Sequence, residues 1–253
     1  MIKIKTMLQM AKDQARAFPL LKKIVRRSRR YRRRLFEFLN NDRYSRPALD
    51  IEQQLEQYLP SQGFFIEVGG NDGFSQSNTY YLESIKGWRG ILIEPIPELY
   101  RECVQERPNS KVYNCALVSA NYSEAFVTMK YGDLMSLVDD AFDSREAQAK
   151  HLATASNYYK IKPYEVQVPA RTLTSILDEL NVKQIDLFSL DVEGYELNVL
   201  QGLDFDKYQP HYILIECLDQ KAKQTIEAYL SNFYTCIAKL SSRDYLYQYS
   251  KIK

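Results

Sequence analysis

From Phe64 onward, short apolar runs of strand length alternate with amphipathic stretches of helix length, and this alternation most limits what the chain can fold into. The runs Phe64–Val68, Gly90–Glu94, Lys111–Ser119, Ala125–Tyr131, Ile185–Asp191 and Tyr212–Glu216 read as strands. The stretches Ser77–Lys86, Pro97–Glu106, Thr172–Leu180, Tyr195–Leu200 and Lys221–Leu230 read as helices, and Phe233–Leu240 with Tyr245–Tyr249 as a closing hairpin. Strands that alternate with helices in this way predict a doubly wound α/β sheet, because each crossover helix covers a face of a largely parallel sheet.

Ahead of this region lies a different kind of chain. Residues 1–50 hold 15 Lys/Arg against four acids, a net of +11, whereas the remainder holds 19 against 28, a net of −9. The expectation is therefore a basic arm over 1–46 and a globular domain over 47–253. Residues 40–47 act as a linker, and Leu49–Leu59 forms the first helix of the domain. Within the arm, Leu21, Ile24, Tyr31, Leu35 and Phe38 recur at spacings of three, four and seven around the run Arg26–Arg34. A helix with an apolar stripe follows. Through residues 20–39 it can lie on an anionic membrane surface, contact nucleic acid, or pack its stripe on the chain's own body. Nucleic acid fits least, since the rest of the chain is acidic.

No run approaches the roughly 20 apolar residues that span a bilayer. Charges at Lys3, Lys5, Lys12, Asp13 and Arg16 break any signal-peptide core. The four cysteines (Cys103, Cys115, Cys217, Cys236) lack metal-ligand or redox spacing and read as reduced, mostly buried thiols. A cytoplasmic protein is expected, with peripheral membrane attachment as an option through the arm.

The chemistry gathers at strand ends. The first strand runs into Glu67-Val-Gly-Gly-Asn-Asp-Gly73. A turn of this kind lets the backbone approach a ligand, as dinucleotide sites do with GxGxxG. Here Glu67 and Asp72 flank the turn, and their charge disfavours a pyrophosphate. They suit a ligand with an ammonium group, a sulfonium and ribose hydroxyls. Glu94-Pro95 closes the second strand about 20 residues on, where a doubly wound nucleotide site places its ribose-binding carboxylate. Asp191-Val-Glu-Gly194 closes another strand and Glu216 the next. Asp191, Glu193 and Glu216 can serve as a general base for a substrate hydroxyl. Asp191 and Glu216 can equally hold a hard divalent cation. His151, in the long segment 139–163, is a further candidate base; His211 sits at the opposite end of its strand and reads as structural.

These blocks, with Ser77-Asn-Thr79, Gly87-Trp-Arg-Gly-Ile-Leu-Ile-Glu-Pro95 and Leu190-Asp-Val-Glu-Gly-Tyr-Glu-Leu-Asn-Val-Leu200, resemble the FkbM family of methyltransferases from about Tyr44 to the C-terminus. The resemblance implies the Rossmann-like, seven-stranded fold of class I methyltransferases and S-adenosylmethionine as cofactor. It also implies methylation of a hydroxyl on a sugar, glycan or similar polyhydroxylated acceptor. Carried onto this chain, it places Glu67, Gly69, Gly70, Asn71 and Gly73 around the methionine part, with Ser77 and Asn78 in the adjoining block. Glu94 and Pro95 fall at the ribose, Cys115 and Ala116 near the adenine, and Asp191 and Glu193 at the reacting centre. The chain departs from the family's usual pattern at Gly70 and Ser189, where Ala and Lys are common. The acceptor pocket is expected from 132–163, where Tyr158, Tyr159 and Tyr164 can stack on sugar rings or cover the core.

Overall fold

The computed structural model describes residues 19–40, 47–132, 137–138, 149–150, 153–154 and 164–250. The chain divides into two compact units, Met1–Arg46 and Pro47–Lys253. In the first, helix α1 (Pro19–Asn40) runs for 22 residues. His151, Tyr158 and Tyr159 lie outside the described residues, as does most of the 132–163 segment expected to line an acceptor pocket.

In the second unit α2 (Leu49–Leu55) precedes β1 (Phe64–Val68), α3 (Tyr80–Ser84), β2 (Arg89–Ile93), α4 (Pro97–Glu106) and β3 (Lys111–Tyr113). Three further strands follow: β4 (Ala116–Leu117), β5 (Phe126–Lys130) and β6 (Leu137–Val138). The chain continues through β7 (Glu165–Arg171), α5 (Leu173–Leu180), β8 (Leu187–Leu190) and α6 (Glu196–Leu200). It closes with β9 (Tyr212–Glu216), α7 (Gln220–Leu230), β10 (Tyr234–Lys239) and β11 (Asp244–Tyr249).

The main sheet has seven strands in the order β10-β11-β9-β8-β1-β2-β3. From β9 through β3 all neighbours are parallel; β11 pairs antiparallel with both β9 and β10. The expected α/β Rossmann-like sheet of seven strands is therefore present. Its central strands are apolar on both faces because helices cover both. Ile66, Val68, Phe188, Leu190, Ile213 and Ile215 enter one core layer with α5, α6 and α7. Phe65, Leu92, Leu187 and Leu214 alternate into the other, against Leu55, Leu82, Trp88 and Cys103. Strand order reverses between β1 and β8, and at such a switch point the two crossovers leave a crevice beyond the carboxyl ends of the strands.

One part of the expected layout is corrected. Lys111–Ser119 is two strands: β3 stays in the main sheet, while β4 leaves it for a second, four-stranded sheet in the order β4-β7-β5-β6. Strand β7 alternates, with Val166, Val168 and Ala170 turned inward between exposed Glu165, Gln167 and Pro169, and the proline is the one feature that runs against a strand reading. The second sheet has its own small core of Ile96, Leu99, Ala116, Val118, Val127, Met129, Val138 and Val168.

Candidate active site

A cavity of about 480 Å³ opens over the carboxyl ends of β1, β2, β8 and β9, and the second sheet adds Met129 and Val138 to its wall. Among the residues singled out in the sequence, Gly69, Asn71, Glu94, Pro95, Cys115, Ala116, Asp191, Glu193 and Glu216 line it. Glu67, Gly70, Gly73, Ser77 and Asn78 do not.

The turn after β1 is held from two sides. Gly69 lies at φ +92°, and a Cβ there would stand 2.0 Å from the carbonyl oxygen of Asp191. Only glycine lets the β1 and β8 ends approach so closely. Gly70 differs: a Cβ there would meet Leu92 and Cys103 at 3.4–3.5 Å, an ordinary contact, so the alanine common in the family would fit.

Glu67, expected beside the ligand, turns back into its own loop. Its carboxylate accepts hydrogen bonds from Ser77 Oγ (2.9 Å), Thr79 Oγ1 (2.6 Å) and the Asn78 amide (2.9 Å). Arg107 Nη1 completes the set at 3.1 Å. Arg107 is buried and also pairs with Glu83 at 2.8 Å, while its Nη2 donates to Thr79 Oγ1. A buried guanidinium shared by two carboxylates offsets part of the charge that neither solvent nor ligand reaches. Asp72 is likewise engaged locally, accepting from the Phe74 and Ser75 amides. Its role is that of a turn-forming Asx residue. Ser189, where the family commonly has lysine, is buried and accepts from Asn78 Nδ2 at 3.2 Å.

Glu94 stands at the cavity wall, at the carboxyl end of β2. Its Oε2 accepts the Asn71 amide and its Oε1 the Ile96 amide, both at 2.7 Å. These bonds fix the carboxylate at the cavity wall and leave further lone pairs to accept hydroxyl protons. Burial pushes its pKa up to about 7, against the pull of the two amides. Beside it, Ile93, Leu99, Cys115, Ala116 and Leu117 form an apolar wall suited to a flat heteroaromatic ring. The donor and acceptor set thus fits S-adenosylmethionine, a base, a diol and a charged end, in one continuous cavity.

At the other end, carboxylate oxygens of Asp191, Glu193 and Glu216 lie within 4.8 Å of one another. Glu193 takes φ +53° and Gly194 φ +102°, and this sharp turn re-aims the chain after β8. The turn is held by Glu196, which accepts from the Gly194 amide (2.9 Å) and the Val192 amide (3.3 Å). Enclosure by the cavity walls, then the charges of Glu216 and Glu193, raise the Asp191 pKa well above the usual carboxylate range. Asp191 still opens onto the cavity. Burial first, and then Glu216 and Glu196, lifts Glu193 to about 8. Burial lifts Glu196 to about 7. Carboxyl groups raised in this way, as Asp191 and Glu193 are, hold protons more tightly than ordinary acids, or give them up to a cation.

Arg243, on the turn between β10 and β11, reaches the same wall and stands 3.6 Å from Glu216 Oε1. Neither it nor Arg107 and Glu196 was singled out in the sequence. Glu196 alone left a signal, as an acid in the first turn of a helix. His211 stacks on Tyr212, with ring centroids 5.1 Å apart, and does not line the cavity. Tyr164 is also off the wall; it packs on Tyr131 at 4.8 Å and donates to Glu98.

A sequence model of the methyltransferase FkbM domain matches residues 67–249. A protein from Beauveria bassiana (strain ARSEF 2860) named Methyltransferase 1 is 24% identical over 195 residues, covering 73% of this chain and 74% of the relative. Among solved structures, a fibrillarin/Nop5p complex aligns over 78% of both chains with a TM-score of 0.43 and 8% identity. A TehB-like SAM-dependent methyltransferase from Corynebacterium glutamicum aligns over 87% of this chain and 95% of its own, with a TM-score of 0.38 and 10% identity.

Proposed function

The chain belongs to the FkbM methyltransferase family, so it is an S-adenosylmethionine-dependent methyltransferase, and from that premise we propose that it methylates a hydroxyl of a sugar, glycan or similar polyhydroxylated acceptor. The observation that carries this reading is the carboxylate trio of Asp191, Glu193 and Glu216 facing Glu94 along one cavity. When bound, the cofactor supplies a methyl group on a sulfonium, open to in-line displacement. The protein's own task is then to align the acceptor oxygen and take its proton.

In this reading Glu94 accepts from the ribose hydroxyls, and Cys115 and Ala116 face the adenine. Gly69 and Asn71 bring main chain to the methionine end. Asp191, or a partner in the trio, accepts the hydroxyl proton. A carboxylate whose proton affinity has been raised by burial, and further by its neighbours, is matched to that task. Alternatively the trio holds a divalent cation that lowers the hydroxyl pKa, and then Asp191 and Glu216 are its ligands. The buried, free thiols of Cys103, Cys115 and Cys217 support placing the enzyme in a reducing compartment, the cytoplasm.

The test uses S-adenosylmethionine labelled in its methyl group, offered with panels of free sugars, glycans and nucleic acids. Label recovered in a sugar ether that resists mild alkali supports the reading, and label recovered only in nucleic acid overturns it. Asp191→Asn should still bind S-adenosylhomocysteine yet lose turnover. Undiminished activity in excess chelator assigns the trio to proton transfer, whereas loss restored by a divalent cation assigns it to metal binding.

A further inference from the structure

We propose that helix α1 seats the enzyme on an anionic lipid surface, an interaction that lies beyond its methyl-transfer chemistry. The helix holds nine Lys/Arg and one acid in 22 residues. On it Phe38 is 87% exposed, Leu39 63%, Tyr31 62% and Leu35 57%. These four sit at i, i+4, i+7 and i+8, so they share one face of the helix. By the same spacing the exposed Arg32 and Arg34 flank that face, one on each side. Single exposed apolar residues are common on protein surfaces; a contiguous stripe edged by guanidinium groups is not.

The composition selects the occupant. Nine cations forbid a membrane-spanning role, and among the described residues no helix is long and apolar enough to cross a membrane. A helix with a charged face and an apolar stripe lies instead in the interface, its apolar side chains below the headgroups and its cations among them. Tyrosine and arginine suit that boundary because each joins an apolar body to a polar tip. A nucleic-acid contact would use the arginines alone and leave Leu35, Phe38 and Leu39 in water. A lipid surface uses both.

The test sediments the full-length protein with vesicles of phosphatidylcholine, with and without phosphatidylglycerol. The parent protein should partition onto the anionic vesicles and not onto the neutral ones. The double variant L35Q/F38Q keeps the charge and, glutamine being a good helix former, keeps the helix as judged by circular dichroism. Its partitioning should fall about tenfold or more. R32Q/R34Q should weaken binding by a similar factor and blunt its dependence on phosphatidylglycerol. Equal partitioning of L35Q/F38Q and the parent overturns the proposal, as does absence of vesicle binding beside a salt-sensitive contact with an RNA duplex. A lowered melting temperature in L35Q/F38Q also overturns it, because the stripe would then be packed on the chain's own fold.

Discussion

The main chain of Gly69 passes so close to that of Asp191 that a methyl group on the former would lie 2.0 Å from the carbonyl oxygen of the latter. This contact fixes the distance between the cofactor turn and the carboxylate trio. Gly69→Ala should therefore destabilise the protein by about 2 kcal/mol or more, through a clash added to an unfavourable positive φ. It should also weaken S-adenosylhomocysteine binding. Gly70→Ala, one residue on, should leave binding intact and raise stability by about 0.5 kcal/mol, since the new methyl group only meets Leu92 and Cys103. Urea denaturation and calorimetry on the two variants measure the contrast. Equal losses in both would mean that the Asp191 contact has no special role.

Glu94→Gln tests the proposed ribose contact. The amide keeps the shape but presents only one oxygen to the Asn71 and Ile96 amides and to an incoming diol. S-adenosylhomocysteine should bind about 10- to 100-fold more weakly, the range expected for losing hydrogen bonds to a charged acceptor. Free adenine, which has no ribose, should bind the variant and the parent alike. A parallel loss of adenine binding would point to a collapsed cavity.

Arg107→Met leaves Glu67 and Glu83 buried without their shared cation. Removing one partner of a buried ion pair costs about 3–5 kcal/mol, and the variant should show that loss in denaturant unfolding. The triple change R107M/E67Q/E83Q should recover part of it, because no uncompensated charge remains. A single variant as stable as the parent would contradict the charge balance described for this loop.

Where the sequence was legible, it was so because strand ends look alike in every doubly wound sheet. The β1 turn, Glu94 and the Asp191–Gly194 turn were each placed by that rule, and the structure brings all three to one cavity. Glu67 shows the limit of the rule. A strand-end acid reads the same whether it faces a ligand or its own loop, and its partner Arg107 is 40 residues away at the end of α4. The same network explains a misjudged helix start. Ser77 and Thr79 bond Glu67 instead of continuing a helix, so α3 begins only at Tyr80. The second sheet escaped notice because β7, although it alternates, is only half-buried and contains a proline.

Acid-base behaviour gives a further prediction. The folded protein holds Glu193 at about 8 and Glu94 and Glu196 at about 7, against an ordinary value of 4.5. Between those limits the fold binds more protons than the unfolded chain, so its stability falls as pH rises from about 4.5 to about 8 and then levels off. Glu193→Gln should flatten the upper part of that decline. Melting temperatures of parent and variant across this window decide the matter; a parent whose stability rises with pH there would contradict it.

Strand β11 lies between β9 and β10 although it follows both in the chain. On a ribosome, β9 therefore emerges with a bare edge, and β10 cannot cover it. Strands β1, β2 and β8, whose carboxyl ends lead into Gly69, Glu94 and Asp191, are complete well before that edge is capped. Glu216 meets Arg243 only when β11 threads into place. A nascent chain would in this way assemble the cofactor half of its cleft first and the far wall last.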